Sequence, residues 1–182
     1  MKIKTFTIGG LMLLEPKIFE DERGYFFESY NQKAFEEAGI NAVFVQDNQS
    51  MSSKGVLRGL HFQNPPYAQG KLVRVLQGAV KDVAVDIRQG SPTYGQYVMA
   101  ELTGRNKQMM WIPPGFAHGF LTIEDNTIFQ YKCTNLYNKE SESGIRWSDE
   151  LLNINWGIEH PVVSEKDQQL PAFELTENHF ML

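Results

Sequence analysis

The chain has 182 residues, 42% of them apolar and 21% charged, with a formal net charge of −5. That size suits one domain spanning residues 1–182 with a substantial core, and that composition argues against disorder. No apolar run approaches the ~20 residues that a membrane-spanning helix needs. The negative balance counts against nucleic acid, whose binding proteins carry basic patches, but leaves room for a small phosphorylated ligand held by a few arginines. Cys133 is the only cysteine, so no intrachain disulfide forms. The start, Met1 to Ile8, alternates like a strand and lacks the apolar block of a signal peptide, so the expected location is the cytoplasm.

In chain order, residues 1–30 read as short strands broken at Glu15-Pro16 and at Asp21-Glu22-Arg23-Gly24, the second break being a turn. Gly24 to Tyr30 is aromatic-rich and reads as a strand. Asn31 to Ala38 is the best helix: Asn31 caps it, Ala34, Phe35 and Ala38 share a face, and Gly39 ends it. Strand signals resume at Ala42-Val-Phe-Val45, and the polar Gln46 to Ser50 reads as a loop.

Lys71 to Gln77 and Ala79 to Ile87 read as two strands around a tight turn at Gly78. In the second, Val80, Asp82, Ala84 and Asp86 share one face and Lys81, Val83, Val85 and Ile87 the other. One face suits a core and the other solvent or a polar cavity. Further strands are expected at 97–102, 109–112, 119–123 and 127–134, and the tail from about Trp147 reads as irregular with short helical turns. Many short strands with frequent turns predict an all-β sandwich or barrel.

Two stretches carry the chemistry. Arg58-Gly-Leu-His61-Phe-Gln63, with Gly70-Lys71 after it, places a base and two cations within fourteen residues. Pro113-x-Gly115-x-x-His118 is similar to the second motif of the cupin superfamily. Where that superfamily's first motif would supply a His-x-His pair, this chain has His61-Phe62-Gln63. Catalytic zinc usually takes three protein ligands and non-haem iron a two-histidine, one-carboxylate set. A lysine near a ligand position would repel a metal, so none is expected.

Taken singly, each residue has a plain structural reading. His61 is a strand histidine, Tyr131 a core aromatic on the face of Phe129 and Cys133, and Lys71 a solvated strand-end lysine. Ser164 to Asp167 is a capping box, and Arg23 and Arg58 are turn arginines.

Together they resemble a family. Asp21 to Glu28, Phe44 to Asn48, Leu57 to Gln63, Gly70 to Arg74 and Trp111 to Phe120, in that order and spacing, are similar to the dTDP-4-dehydrorhamnose 3,5-epimerases, a metal-free branch of the cupins. The resemblance implies a cupin jelly-roll barrel with short flanking helices. It implies inversion of C3 and C5 of dTDP-4-dehydro-6-deoxy-D-glucose, giving dTDP-4-dehydro-L-rhamnose for cell-surface polysaccharide, with no cofactor. Both carbons flank the C4 ketone, so each C–H can leave as a proton to give an enolate. That chemistry needs a base, an acid on the opposite face and a cation at the ketone oxygen.

By resemblance His61 is the base, Asp167 its orienting carboxylate, Tyr131 the acid, and Lys71 the cation at the enolate oxygen. Arg23 and Arg58 suit the diphosphate. Glu28, Gln46 and Asn48 suit the thymine or ribose, and His118, Glu142 and Lys166 match substrate contacts. Phe26 and Tyr137 suit stacking on sugar or base. The resemblance also implies a homodimer whose amino-terminal strands cross to complete the neighbour's site. A mono-epimerase or ketoisomerase on the same scaffold and a non-catalytic sugar-binding barrel are the rival readings.

Overall fold

A computed structural model describes residues 1–182. Its strands are β1 (Lys2–Thr5), β2 (Met12–Glu15), β3 (Phe19–Asp21) and β4 (Gly24–Phe26), followed by helix α1 (Gln32–Glu37). Then come β5 (Gln46–Ser52), β6 (Val56–Gln63), β7 (Lys71–Gln77), β8 (Ala79–Asp86), β9 (Tyr97–Thr103), β10 (Met109–Ile112), β11 (Phe116–Thr122) and β12 (Thr127–Cys133). The tail adds β13 (Glu142–Gly144), β14 (Val162–Val163), the short helix α2 (Glu165–Gln168) and a 3-10 turn at Phe173–Leu175. No helix is long and apolar enough to cross a membrane.

Two sheets face each other as a jelly-roll barrel. One runs β1-β2-β10-β7-β12-β5; the other runs β13-β6-β11-β8-β9, with β14 added parallel to β6. Inward residues of both sheets fill the far part of the interior. Val73, Val75, Met110, Ile112 and Phe129 from the first meet Val80, Ala84, Leu102, Phe116 and Phe120 from the second. Phe120 and Phe129 stack across the gap with ring centroids 4.1 Å apart. The outer face of the second sheet is covered as well: Leu57, Phe62, Val83, Val85, Ile87 and Leu121 pack under Ile145, Leu152, Trp156 and Phe180 of the tail. Both faces of β8 are therefore buried, and neither meets solvent as the alternation alone allows.

The helix forms where its caps predict it. The Asn31 side chain accepts from the Ala34 N–H at 3.2 Å, and Gly39 leaves the helix at φ +87°. Its buried Phe35 packs with Leu14, Leu72 and Trp111 on the outer face of the first sheet. Three expectations give way. Ala42 to Val45 forms no strand, and the polar run beginning at Gln46 does. An edge strand whose inner residues line a polar cavity needs no apolar face, and β5 pairs only with β12. The aromatic stretch after Gly24 is extended only to Phe26, as one arm of a two-stranded hairpin. Finally, Gly78 does not close a hairpin: β7 and β8 belong to different sheets, so Gly78 turns the corner between them. It does so at φ +79°, where a Cβ would sit 2.8 Å from Thr127 Cα.

Candidate active site

A cavity of about 660 Å³ opens beside the apolar interior cluster, whose Phe120 forms part of its wall. Asn48, Arg58, His61, Lys71, His118, Tyr131, Lys166 and Asp167 all line it. Its size falls within the range of small-molecule sites.

One irregularity in β6 aims two of these groups. Arg58 and His61 are three residues apart, which in a regular strand puts them on opposite faces. Against β11, however, His118 pairs with His61 and Phe120 with Arg58, so β6 carries one extra residue there. The bulge turns both side chains into the cavity. Gly59 makes it possible: its φ is +116°, and a Cβ would lie 2.6 Å from Gly119 Cα and 2.7 Å from the His118 carbonyl oxygen. The Arg58 guanidinium is steadied by the buried Ser52, with Nε and Nη2 at 3.3 and 3.2 Å from its Oγ.

His61 reaches across 106 residues of sequence to Asp167 on α2, with Nε2 2.7 Å from Oδ1. The other oxygen, Oδ2, accepts the Gly59 N–H at 3.0 Å, and Ser164 Oγ accepts the Asp167 N–H at 3.1 Å. Burial alone would raise the Asp167 pKa, but these hydrogen bonds and the His61 ring outweigh it and hold the carboxyl below its ordinary value. Asp167 thus gives its N–H to the Ser164 cap and both carboxylate oxygens to β6, so the reciprocal half of the expected capping box is not made. His61 keeps 32% of its side-chain surface open, whereas Asp167 keeps 5%. The carboxylate is sealed and the imidazole faces the cavity.

Tyr131 faces His61 from the opposite sheet. Burial pushes its phenol pKa up, with Cys133 adding to this and Asn48 and Arg58 partly opposing it. Lys71 lies at the start of β7, its Nζ 6.0 Å from the Tyr131 ring centre. Burial pushes its ammonium pKa down, against the fields of Cys133, Asp82 and Glu142.

His118 sits directly beside His61 in the sheet. It has its own carboxylate, Asp82, with Nε2 2.8 Å from Oδ2. Each histidine thus commits Nε2 to a carboxylate. No group of three or more His, Cys, Asp or Glu side chains is placed to hold a metal ion.

A recess of about 140 Å³ extends the cavity past Asn48, His61, Lys71 and Tyr131 to Gln46, Tyr137 and Glu142. At its rim the Tyr137 hydroxyl donates to Glu142 Oε2 at 2.8 Å, and Lys166 Nζ stands 2.6 Å from Glu142 Oε1. The structure therefore brings eleven of the fourteen expected side chains to one cavity and its recess. Arg23, Phe26 and Glu28 are the exceptions. Arg23 pairs with Asp21 in the exposed β3–β4 hairpin, Phe26 is 67% exposed, and Glu28 accepts from Asn31 Nδ2 at 3.0 Å. Sequence reading also passes over supports that touch the site from behind: Asp82, Ser52, and Gln63, whose amide oxygen accepts the Asn138 N–H at 2.8 Å and so holds the loop bearing Tyr137. The one available signal is Asp82, a carboxylate on the inward face of β8.

A jelly-roll barrel with His61 and His118 facing inward between two sheets defines a cupin. A family model described as dTDP-4-dehydrorhamnose 3,5-epimerase matches residues 5–174, and the chain belongs to that family. The dTDP-4-dehydrorhamnose 3,5-epimerase of Shigella flexneri is 57% identical over 166 residues, 91% of each chain. A dTDP-6-deoxy-D-glucose-3,5-epimerase from Legionella pneumophila, solved in complex with dTDP-4-keto-L-rhamnose, is 51% identical with a TM-score of 0.92. That match covers 96% of this chain and 93% of the other. A 3′-monoepimerase from Streptomyces bikiniensis, in complex with dTDP-quinovose, shares the fold at a TM-score of 0.88 but only 29% identity, over 93% of this chain and 86% of the other.

Proposed function

We propose that this protein is an isomerase that converts dTDP-4-dehydro-6-deoxy-D-glucose to dTDP-4-dehydro-L-rhamnose by inverting C3 and C5. The observation that carries this reading is the pair across the cavity: a carboxylate-backed imidazole on one sheet and a buried phenol on the other. Family membership supplies the substrate class.

In each inversion His61 takes the proton from the carbon beside the C4 ketone. The C–H electron pair becomes the C=C bond of the enolate, and the carbonyl π pair moves to O4. Lys71 offsets the charge that develops there; a compact ammonium in a water-poor cavity is effective in that role. Tyr131 then gives its proton to the opposite face of the carbon. The pair is left as imidazolium and phenolate, and proton exchange with water resets both. Oxidation states do not change, so no redox partner enters. Asp167 holds the ring orientation and stabilises the imidazolium.

Arg58 suits the diphosphate. The Gln46, Asn48 and Tyr137 recess suits the nucleoside, with His118, Glu142 and Lys166 as further substrate contacts. Arg23, Phe26 and Glu28 serve the cavity of a second copy. The hairpin that bears Arg23 and Phe26 carries three aromatic side chains, Phe19, Tyr25 and Phe26, each more than half exposed, as an arm that docks elsewhere would. An isologous homodimer is the assembly this implies. The cytoplasm, where nucleotide sugars are made, is the matching compartment.

In this reading Lys71, not a metal ion, meets the charge at O4, so the reaction is expected to run without a metal. Activity should survive exhaustive chelation; activity lost to a chelator and restored by iron or zinc refutes this. The reaction itself is tested by proton NMR in D2O with the 4-keto sugar nucleotide. Deuterium at both C3 and C5, with L-rhamno product, is expected. Label at a single carbon makes the protein a mono-epimerase, and binding without label makes it a sugar-binding barrel.

A further inference from the structure

Asp82 of β8 and His118 of β11 lie on the same inward face, diagonal to one another: Asp82 stands opposite Phe120, two residues along from His118. Both are buried, and His118 Nε2 is 2.8 Å from Asp82 Oδ2. The other carboxylate oxygen has no partner, so this is the one hydrogen bond that the Asp82 side chain makes. Aromatic rings wall the imidazole, with the Phe129 and Phe120 centroids 6.2 and 6.4 Å from its own.

Such a contact fixes which ring nitrogen carries the proton. A carboxylate only accepts, and between a carboxylate and an imidazole the proton belongs to the imidazole, whose ordinary affinity for it is higher by about 2–3 pH units. Nε2 is therefore the N–H, and Nδ1 of the neutral ring is a bare acceptor. Asp82 Oδ1 and Thr122 Oγ1 are the only buried side-chain polar atoms without a partner. His118 Nδ1 has no partner within the chain and is neither of these, so it opens on the cavity that His118 lines. The surroundings keep the ring neutral. Arg58 and Lys71 already line the cavity, and His61, the direct cross-strand partner of His118, becomes the imidazolium in the reaction. A second imidazolium would set like charge beside it.

We propose that Asp82 is a positioning residue that sets the polarity of His118, making its Nδ1 the acceptor for a hydroxyl of the sugar. The proposal rests on the reading of this cavity as the site for a 4-keto-6-deoxy hexose. The ketone oxygen and the diphosphate accept hydrogen bonds, whereas the hexose donates them only from its C2 and C3 hydroxyls. A bare ring nitrogen therefore recognises a hydroxyl and turns away the ketone and the diphosphate. The C2 hydroxyl is the one it fits, because C3 changes configuration during the reaction and C2 does not. Two carboxylate-backed imidazoles then stand side by side with the same polarity. Nδ1 of His61 takes a carbon-bound proton, and Nδ1 of His118 holds the neighbouring hydroxyl.

Two measurements test this. The first is nitrogen NMR of protein with isotope-labelled histidine, assigned with His118→Leu. His118 should show an N–H signal at Nε2 and a bare-nitrogen signal at Nδ1. Asp82→Asn, whose amide can donate to Nε2, should move the proton to Nδ1 in part of the population; Asp82→Ser is the second variant should the first not fold. The second measurement is kcat/KM for the 4-keto sugar nucleotide against its 2-deoxy analogue. The wild-type protein should favour the 2-hydroxy form about tenfold, the usual worth of one buried hydrogen bond. Asp82→Asn and His118→Leu should each reduce that preference to within about twofold. If the protein binds these sugars without turning them over, the epimerase reading fails, and the same preference is read in the dissociation constants. An Nδ1–H or imidazolium signal from His118 in the wild-type protein at pH 7 overturns the proposal. So does a preference for the 2-hydroxyl that is absent, or that survives the loss of either side chain.

Discussion

Asp167 divides its two oxygens between the His61 ring and the Gly59 N–H, at 2.7 and 3.0 Å. A single carboxylate from the tail thus orients the base and clamps the bulge that turns that base inward. α2 and β6 are far apart in sequence, and this contact makes the tail part of the site.

Replacing Asp167 by Asn should keep the Gly59 contact and remove the charge behind His61. Loss of the equivalent charge in a serine-protease triad costs about 10⁴-fold in kcat, and a drop of about 10²–10⁴-fold is expected here. Steady-state kinetics and a dTDP titration check it: kcat should fall while dTDP binds as before. A kcat within about threefold of wild type would leave Asp167 a structural link between α2 and β6 and nothing more.

Gly59→Ala should be disproportionately harmful for a single methyl group. The backbone there is left-handed, and the new Cβ meets main-chain atoms that have nowhere to move. A strained conformation of this kind costs about 1–3 kcal/mol, to which the clash adds. Urea denaturation reads the loss. The activity of the folded fraction should also fall, because the bulge aims both Arg58 and His61. Unchanged stability and turnover would contradict this role for the bulge.

These same residues mark what the sequence makes legible. The helix at Asn31 is visible because its cap, its apolar face and its terminating glycine are local signals. Strands β7 to β12 are visible as short apolar-rich runs set between turns, some of them buried on both faces. The edge strand β5 escapes notice because its inner side lines a cavity, so the usual apolar half of the alternation is absent. Gly78 misleads because a positive φ serves a corner between sheets as well as a hairpin. Residue identity and motif point to His61, Lys71, His118 and Tyr131. The bulge at Gly59 and the paired carboxylates behind both histidines depend on contacts between strands, which no local pattern encodes.

If the β3–β4 hairpin reaches a second copy, two damaged chains should repair one another. A dimer of one His61→Ala subunit and one Arg23→Ala subunit has a single site with both His61 and Arg23 intact. After random reassortment about a quarter of all sites should be whole. Mixing the two variants, exchanging subunits and assaying at low substrate checks this. Activity no greater than the sum of the separate variants would mean that Arg23 acts in its own chain or not at all.

Asp86 predicts a pH dependence of stability rather than of rate. Burial would raise its carboxyl pKa, but hydrogen bonds from Arg88, Ser91 and Thr93 bring it down to about 2 from an ordinary 3.8. A depressed carboxylate stabilises the fold fully above its unfolded value, and that contribution is lost as pH falls toward the folded value. Asp86→Asn should therefore cost about 2 kcal/mol at pH 7. The gap from wild type should narrow between about pH 4 and pH 2. Chemical denaturation across that window checks it, and a gap that is constant with pH would remove the charge as its cause.

In the proposed reaction His61 and Tyr131 work on opposite faces of one enolate, and Tyr131→Phe in D2O tests that most directly. Phenylalanine keeps the ring and its packing beside Phe129, 6.0 Å away, while removing the only proton it has to give. His61 can still take the substrate proton and return a deuteron to the face it left. Donation by a positioned acid is worth about 10²–10⁴-fold, so deuterium incorporation should outpace inversion by about that factor. Equal losses of exchange and inversion in this variant would contradict the account and leave Tyr131 a packed strand aromatic.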